Sequence, residues 1–144
     1  MVVQYLGKIK VASSILAIGL MTEIIITREY LRANPDHIFI FGDNILGKGH
    51  GGAAALRDEP NTLGFTTKKA PNNEDKSFYR PGEYRQIFEQ EIEAVISWIK
   101  CCPEKTFLVS KIGSGLANRY RIWEKVIEPG IECLRKYPNV KFLF

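Results

Sequence analysis

The chain has 144 residues, of which 45% are hydrophobic and 25% are charged, and its formal net charge is +4. This size and composition predict one globular domain whose core needs no disulfide staples. The positive charge suits an anionic partner, although an excess of this size is common in proteins that bind nothing acidic. Three cysteines without a CxxC pair indicate neither a disulfide framework nor a zinc site, and we expect no metal and no cofactor.

The N-terminal residues 1–20 differ from the rest of the chain. Lys8 and Lys10 precede the apolar run VASSILAIGLM, as in a signal peptide. That run is too short to cross a bilayer, and MTEIIITREYL after it reads like a new start at Met21. We therefore interpret residues 1–20 as an extension or disordered arm in preference to an export signal, and residues 21–144 as the single domain. We expect a cytoplasmic protein without membrane contact.

The first half of the domain predicts short strands separated by turns and one helix. β-Branched and apolar runs favour strands at residues 23–27 and 37–42. The alanine-rich GAAALRDE, residues 52–59, favours a helix that Pro60 ends. A short extended piece, LGFTTK, follows, and the turn-forming residues 70–83 predict a long loop that is mobile or functional.

The second half predicts a regular alternation of helix and strand. Apolar residues at spacings of three and four between Tyr84 and Lys100 indicate a long amphipathic helix. A continuous apolar strand, TFLVSK, leads into a second glycine loop, and a helix interrupted near Pro129 and Gly130 comes next. The chain then closes with VKFLF, a further strand. We therefore expect an α/β fold in which helices sandwich the sheet.

Two of the predicted strands end in glycine-rich loops, at residues 42–52 and 113–115. In an open α/β sheet, ligands bind at the carboxyl ends of the strands, where glycines and helix starts let backbone amides approach phosphate oxygens. The first loop, GDNILGKGHGG, lacks the hydroxyl residue of a P-loop, and its GxGxxG match would place the acidic ribose partner in a polar loop. The loops predict a phosphate-bearing ligand, and the alternative is an ordinary strand-to-helix turn.

Three side chains near these loops are candidate acids, bases or nucleophiles. Asp43 follows the first of these strands, His50 lies among the glycines, and Lys68 ends the short strand before the long loop. Each also has a simpler interpretation, as a turn-capping aspartate, an isolated histidine or a solvent-exposed lysine. Ser114 lacks the flanking pattern of a nucleophilic serine, and we interpret it as a small residue that exposes the backbone.

The combination of GKGHGGAAAL with VSKIGSGLANRYRIWEKVIEP resembles the macrodomain family of ADP-ribose-binding modules, over residues 36–144. The second segment is similar to a loop and helix start of the branch that includes the terminal ADP-ribose protein glycohydrolase. The resemblance implies a three-layer α/β/α sandwich with a macrodomain-like mixed sheet, and ADP-ribose or an ADP-ribosylated macromolecule as the partner. The ligand-binding residues that it implies are Asn44, Gly49, Gly51, Gly52, Ala53, Gly113, Ser114, Gly115, Leu116, Ala117 and Asn118.

Catalysis is where the chain departs from this branch. The resemblance implies a lysine after a short strand, which Lys68 supplies, and an aspartate in the second loop, whose position Ala117 occupies. Because alanine neither accepts nor donates a proton, we expect ADP-ribose binding and leave hydrolysis open. One alternative is a hydrolase of another phosphorylated ribose that uses Asp43, His50 or Lys68.

A second alternative is a nucleic-acid binder with a basic face and interleaved aromatic side chains. A solvated charged face is the more frequent meaning of such a pattern. The residues of this face would be Lys68, Lys69, Lys76, Arg80, Arg85, Arg119, Arg121 and Lys125, with Phe78, Tyr79, Tyr84 and Tyr120 between them.

Overall fold

The computed structural model describes residues 24–144, so our expectations for residues 1–20 lie outside the described part of the chain. Its helices and strands alternate along the sequence except between the first two strands, which are joined by a 3-10 turn and further turns. The helices are α1 (Arg28–Ala33), α2 (Pro81–Cys101) and α3 (Glu128–Ile131). The strands are β1 (His37–Asn44), β2 (Thr62–Lys68), β3 (Thr106–Val109) and β4 (Val140–Phe142). A π-helical turn at Trp123–Ile127 precedes α3 and a 3-10 turn at Glu132–Lys136 follows it, and we name residues 123–136 the C-terminal helical segment.

The four strands form one sheet in the order β2-β1-β3-β4. All three strand pairs are parallel, which confirms the α/β class. The mixed sheet that we expected is not found in residues 24–144, because each connection between these strands returns the chain to the same end of the sheet. From β1 the chain moves to β2 on one side, and α2 then carries it back to β3 on the other side of β1. The carboxyl ends of β1 and β3 therefore adjoin where the direction of winding reverses.

Side chains that alternate along the strands pack on opposite faces of the sheet. On one face, Ile40 and Phe107 contact α2 and the C-terminal helical segment in the larger hydrophobic cluster. On the other face, Leu108 packs with Leu31 of α1 and with Leu143. Each face of the sheet is thus covered by apolar residues from a helix, which fixes the sheet between them.

Helix α2 confirms the predicted amphipathic helix and begins three residues earlier, at Pro81. Proline suits this first position because its missing N–H has no partner to lose, and the Glu83 carboxylate accepts the Arg80 N–H at 3.0 Å. At the edge of the sheet, Glu91 accepts the Thr66 N–H at 2.8 Å. The Tyr84 hydroxyl, which is buried, donates to the Thr66 carbonyl at 2.5 Å. Helix α2 is thereby joined to β2 by hydrogen bonds as well as by packing.

Two predicted elements are wrong for physical reasons that the structure makes plain. Residues 24–27 form no strand, because the Thr27 hydroxyl accepts the Tyr30 N–H at 3.1 Å and starts α1 directly. Residues 52–59 form only a 3-10 turn at Gly52–Ala54 followed by turns. Five good helix formers before Asp-Glu-Pro are too few to offset the cost of helix nucleation.

The other strands lie where the sequence predicts them, with different ends. The predicted loop at residues 70–83 contains a 3-10 turn at Asp75–Ser77 and the first turn of α2. The predicted interruption near Pro129 is seen as a change of helix type: the C-terminal helical segment passes from π-helix to α-helix and then to 3-10 helix. In residues 24–144, no helix has the length and hydrophobicity needed to span a membrane.

Candidate functional site

A cavity of about 580 Å³ opens where the carboxyl ends of β1 and β3 adjoin. We name residues 45–53 the first glycine loop and residues 110–117 the second glycine loop, and both line the cavity. The pairing of β1 with β2 shifts register between Asp43 and Asn44, an irregularity that turns the chain out of the sheet into the first loop. All the predicted site residues except His50 and Asn118 line this cavity.

Eight backbone amides of the two loops are available to a ligand, and the residues that carry them all line the cavity. Within residues 24–144, no protein acceptor is found for the N–H groups of Gly49, Gly51, Gly52, Ala53, Gly113, Gly115, Leu116 and Ala117. Most backbone N–H groups in folded proteins are paired, and successive unpaired amides form concave sites that attract anions. The two loops therefore present donors from two walls of one cavity.

The charged side chains around the cavity reinforce this preference. Lys48, Lys68 and Lys111 line it. In the described part of the chain, Asp43 is the single acidic lining residue, and its carboxylate forms an ion pair with Arg57 at 2.5 Å. The lining thus carries three positive charges and one acid that is already neutralised, which favours an anionic occupant.

Side-chain hydrogen bonds set the shape of the first glycine loop. The Arg57 guanidinium donates to both Asp43 carboxylate oxygens, at 2.5 and 2.8 Å. It also donates from Nη2 to the Lys48 carbonyl at 3.0 Å and from Nε to the Gly49 carbonyl at 2.8 Å. The Asn44 amide donates to the Lys48 carbonyl at 2.7 Å. Asp43 and Asn44 thus act within the protein to hold the loop, and the Asp43 carboxylate is occupied by a partner other than substrate.

Packing sets the shape of the second glycine loop. Gly113 has a φ of 79°, a conformation that favours glycine. A Cβ at this position would lie 2.6 Å from the Ile127 Cδ1 and 3.1 Å from the Thr67 Cγ2. The Thr67 hydroxyl donates to the Asp43 carbonyl at 3.1 Å, so one residue of β2 contacts both the end of β1 and the second loop. The second loop is therefore pressed between β2 and the C-terminal helical segment.

The remaining second-loop residues differ in exposure. The Ser114 hydroxyl donates to the Lys111 carbonyl at 2.8 Å, which is a local turn contact. Ala117 is buried, whereas Leu116 is 75% exposed at the mouth of the cavity. Since Ala117 has no polar side-chain atom, the second loop offers the ligand backbone donors without a carboxylate.

Lys68 lines the cavity and has a partly buried amine. Its ammonium nitrogen lies 3.3 Å from the Asn73 Oδ1 and 4.8 Å from the centre of the Phe78 ring. Partial burial, assisted by the positive charge of Arg119, lowers the pKa of Lys68 below its ordinary value. A lowered pKa raises the fraction of neutral amine, the form that acts as nucleophile or base.

His50 and Asn118 lie outside the lining of the cavity. His50 is exposed in the first glycine loop. The Asn118 side chain accepts the Trp123 N–H at 2.9 Å and donates to Glu124 at 3.0 Å, so it caps the start of the C-terminal helical segment. Capping explains this asparagine without a ligand.

Several lining residues were missed by sequence reasoning. Lys48 stands between two glycines and Lys111 lies two residues after the end of β3, and both positions could have been predicted as cations at the rim. The rings of Phe39 and Phe41 also line the cavity, with centroids 6.3 Å apart. Their alternation along β1 was the available signal, because residues spaced by two share a face of a strand.

Three of the four rings of the proposed basic face are unavailable for base stacking. Phe78, Tyr79 and Tyr84 are buried. Asp75 neutralises part of the charge, because it accepts hydrogen bonds from the Tyr120 hydroxyl and from Arg119. In residues 24–144, no group of three or more His, Cys, Asp or Glu side chains is arranged to hold a metal ion.

Comparisons with known proteins place the chain in one family. A comparison with curated proteins found no match, and neither did a comparison with solved structures. Residues 21–118 match one family profile, a span that covers more than half of the chain and includes both glycine loops. The chain therefore belongs to that family, DUF7831, a family of unknown function.

Proposed function

We propose that this protein binds ADP-ribose, or a closely related nucleoside diphosphate, in the cavity between the two glycine loops. The observation that carries the proposal is the set of unpaired backbone amides that line the cavity from both loops. A diphosphate carries anionic oxygens at two neighbouring points, which suits donors on two facing walls. The three lining lysines support the same charge preference.

The apolar part of the lining fits the remainder of such a ligand. Phe39, which is half-buried, offers aromatic surface for a planar base, and Leu116 offers apolar surface at the mouth. A cavity of about 580 Å³ is within the range of small-molecule sites, about 300–1,000 Å³. We further propose that the domain is a three-layer α/β/α sandwich of the macrodomain type, with α1 and α2 on opposite faces of the sheet.

A calorimetric titration of the full chain with ADP-ribose tests the proposal directly. We expect saturable heat at or below high micromolar ligand. Parallel titrations with ADP and with ribose 5-phosphate show which half of the ligand supplies the affinity. A folded sample that gives no heat with ADP-ribose at these concentrations would exclude this function.

Gly51→Glu is the sharpest variant for this test. Gly51 has an ordinary extended conformation, and a Cβ there meets no atom within 4 Å, so the new side chain fits without strain. Its carboxylate should repel the diphosphate and weaken binding at least tenfold. Gly82→Glu is the matched control, because Gly82 is equally open but lies in the first turn of α2, away from the cavity. Equal affinity in the two variants would contradict the proposed site.

Removal of ADP-ribose from a modified protein is a second candidate, favoured by the environment of Lys68. Its partly buried amine lines the cavity and has a lowered pKa. If Lys68 is the nucleophile, Lys68→Arg should abolish release of ADP-ribose from an ADP-ribosylated protein and leave ligand binding nearly intact. Product analysis by mass spectrometry measures this, and turnover that survives the substitution would remove Lys68 from the chemistry.

A further inference from the structure

We propose that Arg57 is a positioning residue, which holds the first glycine loop in the conformation that binds an anion. This inference rests on the proposed function and deepens it. Arg57 does not belong to the residues that line the cavity, so it acts through the loop instead of touching the ligand.

The hydrogen bonds of Arg57 fix two successive peptide groups. Nη2 donates to the Lys48 carbonyl and Nε to the Gly49 carbonyl, at 3.0 and 2.8 Å. In a planar trans peptide, the N–H of the next residue is directed opposite to the carbonyl. The two carbonyls that Arg57 binds therefore set the directions of the Gly49 and His50 amides, which are opposite to the guanidinium. Gly49 lines the cavity, so its unpaired N–H belongs to the anion-binding set.

Asp43 holds the Arg57 guanidinium in the orientation that lets it bind both loop carbonyls. Its two oxygens accept from Nη1 and Nη2, which aligns the planar group and leaves Nε and a second Nη2 hydrogen for the loop. The Arg57 and Asp43 side chains are only 17% and 12% exposed, so water competes poorly for these bonds. The guanidinium also lies 5.6 Å from the centre of the Phe41 ring, which supports it from β1.

The composition of the loop makes such a support necessary. Gly47, Gly49 and Gly52 all have positive φ, and glycine samples many other conformations at little cost. Without a restraint, only a fraction of molecules would hold the amides ready, and the apparent affinity would fall by that fraction. The cost of ordering the loop would then be taken from the binding free energy.

The experiment compares Arg57→Gln and Arg57→Lys with Arg85→Gln, an exposed arginine of α2, in the full chain. Two quantities are measured: the affinity for ADP-ribose by calorimetry, and the 15N order parameters of residues 47–53 by NMR. For Arg57→Gln we expect an affinity loss of about tenfold or more. We also expect loop order parameters that fall from about 0.85 toward 0.6, with those of β1 and β3 unchanged.

Arg57→Lys separates positioning from charge. A single ammonium cannot bridge two carboxylate oxygens and two carbonyls, so this variant should lose affinity nearly as much as Arg57→Gln. Full affinity in Arg57→Lys would overturn the inference, as would unchanged order parameters in both Arg57 variants. If those variants fail to fold, Asp43→Asn releases the guanidinium more gently and should raise the mobility of the same residues. Wild-type protein that shows no binding of ADP-ribose would refute the proposed function, and the order parameters would then decide the positioning role alone.

Discussion

The two glycine loops line one cavity, yet they are held by different forces. The first glycine loop is fixed from outside by polar side chains, through Arg57, Asp43 and Asn44. The second glycine loop is fixed by close packing, with Gly113 pressed against Thr67 and Ile127. One wall therefore depends on hydrogen-bond geometry and charge, and the other depends on volume.

This difference means that each wall can be altered without altering the other. A change of volume at Gly113 should act on the second loop, and a change of charge near Arg57 should act on the first. The effects on stability should also differ. A packing defect lowers the stability of the whole domain, whereas loss of the Arg57 hydrogen bonds frees only the first loop. The three predictions that follow test this contrast, from the largest expected effect to the smallest.

Gly113→Ala should have the largest effect. The positive φ disfavours alanine, and its Cβ would lie 2.6 Å from the Ile127 Cδ1. We expect the free energy of unfolding to fall by about 2–3 kcal/mol, measured by urea denaturation. Gly51→Ala is the control, because Gly51 has an extended conformation and open surroundings, and its stability should change by less than about 0.5 kcal/mol. Equal stability of the two variants would show that volume does not hold the second loop.

Thr67→Val should have an intermediate effect, because Thr67 joins the end of β1 to the second loop. Valine keeps the shape that packs against Gly113 but removes the hydroxyl that donates to the Asp43 carbonyl. We expect a loss of about 1 kcal/mol in the free energy of unfolding. Thr66→Val is the control, since no hydrogen bond of the Thr66 hydroxyl is found in the described residues and its loss should cost nothing. A larger loss in the control than in Thr67→Val would contradict a role for this hydrogen bond.

Acid should weaken the contact between α1 and the turns that follow the first glycine loop, and only at low pH. Glu59, which follows that loop and is buried, accepts hydrogen bonds from Arg32 at 3.0 Å and from Arg28. The hydrogen bond from Arg32, and then that from Arg28, lower the pKa of Glu59 below its ordinary value, against the opposing effect of burial. Because the folded pKa is the lower one, the carboxylate stabilises the fold above about pH 4.3 and loses this contribution as the pH falls through the folded pKa.

The measurement is the free energy of unfolding of wild type and Glu59→Gln at pH 7 and pH 3. Glutamine cannot titrate, so the fall in stability between the two pH values should be smaller in the variant. Glu89→Gln, an exposed glutamate of α2, should keep the fall seen in wild type. An identical fall in Glu59→Gln and wild type would show that this carboxylate does not contribute to acid sensitivity.

Strands and loop positions were predictable because they depend on local patterns. The predicted strands that end at Gly42 and Lys111 each fell within two residues of an observed strand end, and the glycines after them identified the loops. Parallel strands bring their carboxyl ends to one edge, so the meeting of the two loops followed from the fold class. The helix predicted at residues 52–59 failed because propensity ignores nucleation cost, and this segment is too short to offset that cost.

The supporting contacts of the site were not predictable from the sequence. Arg57 lies inside what reads as a helix, and nothing in RDEP indicates that its guanidinium binds Asp43, fourteen residues earlier. Lys68 was predicted as a candidate, but its partial burial beside Phe78 depends on how the loop before α2 folds back. Long-range pairings of this kind depend on tertiary packing, which local patterns do not encode.

The hydrogen bonds between α2 and β2 have a consequence for how this protein behaves among copies of itself. The end strand of a sheet offers unpaired backbone groups to which a strand of another chain can add. At Thr66, Glu91 and Tyr84 already take the outward N–H and carbonyl. Helix α2 thus occupies part of the exposed edge of β2. This should hinder edge-to-edge aggregation at the strand that ends at Lys68 in the cavity.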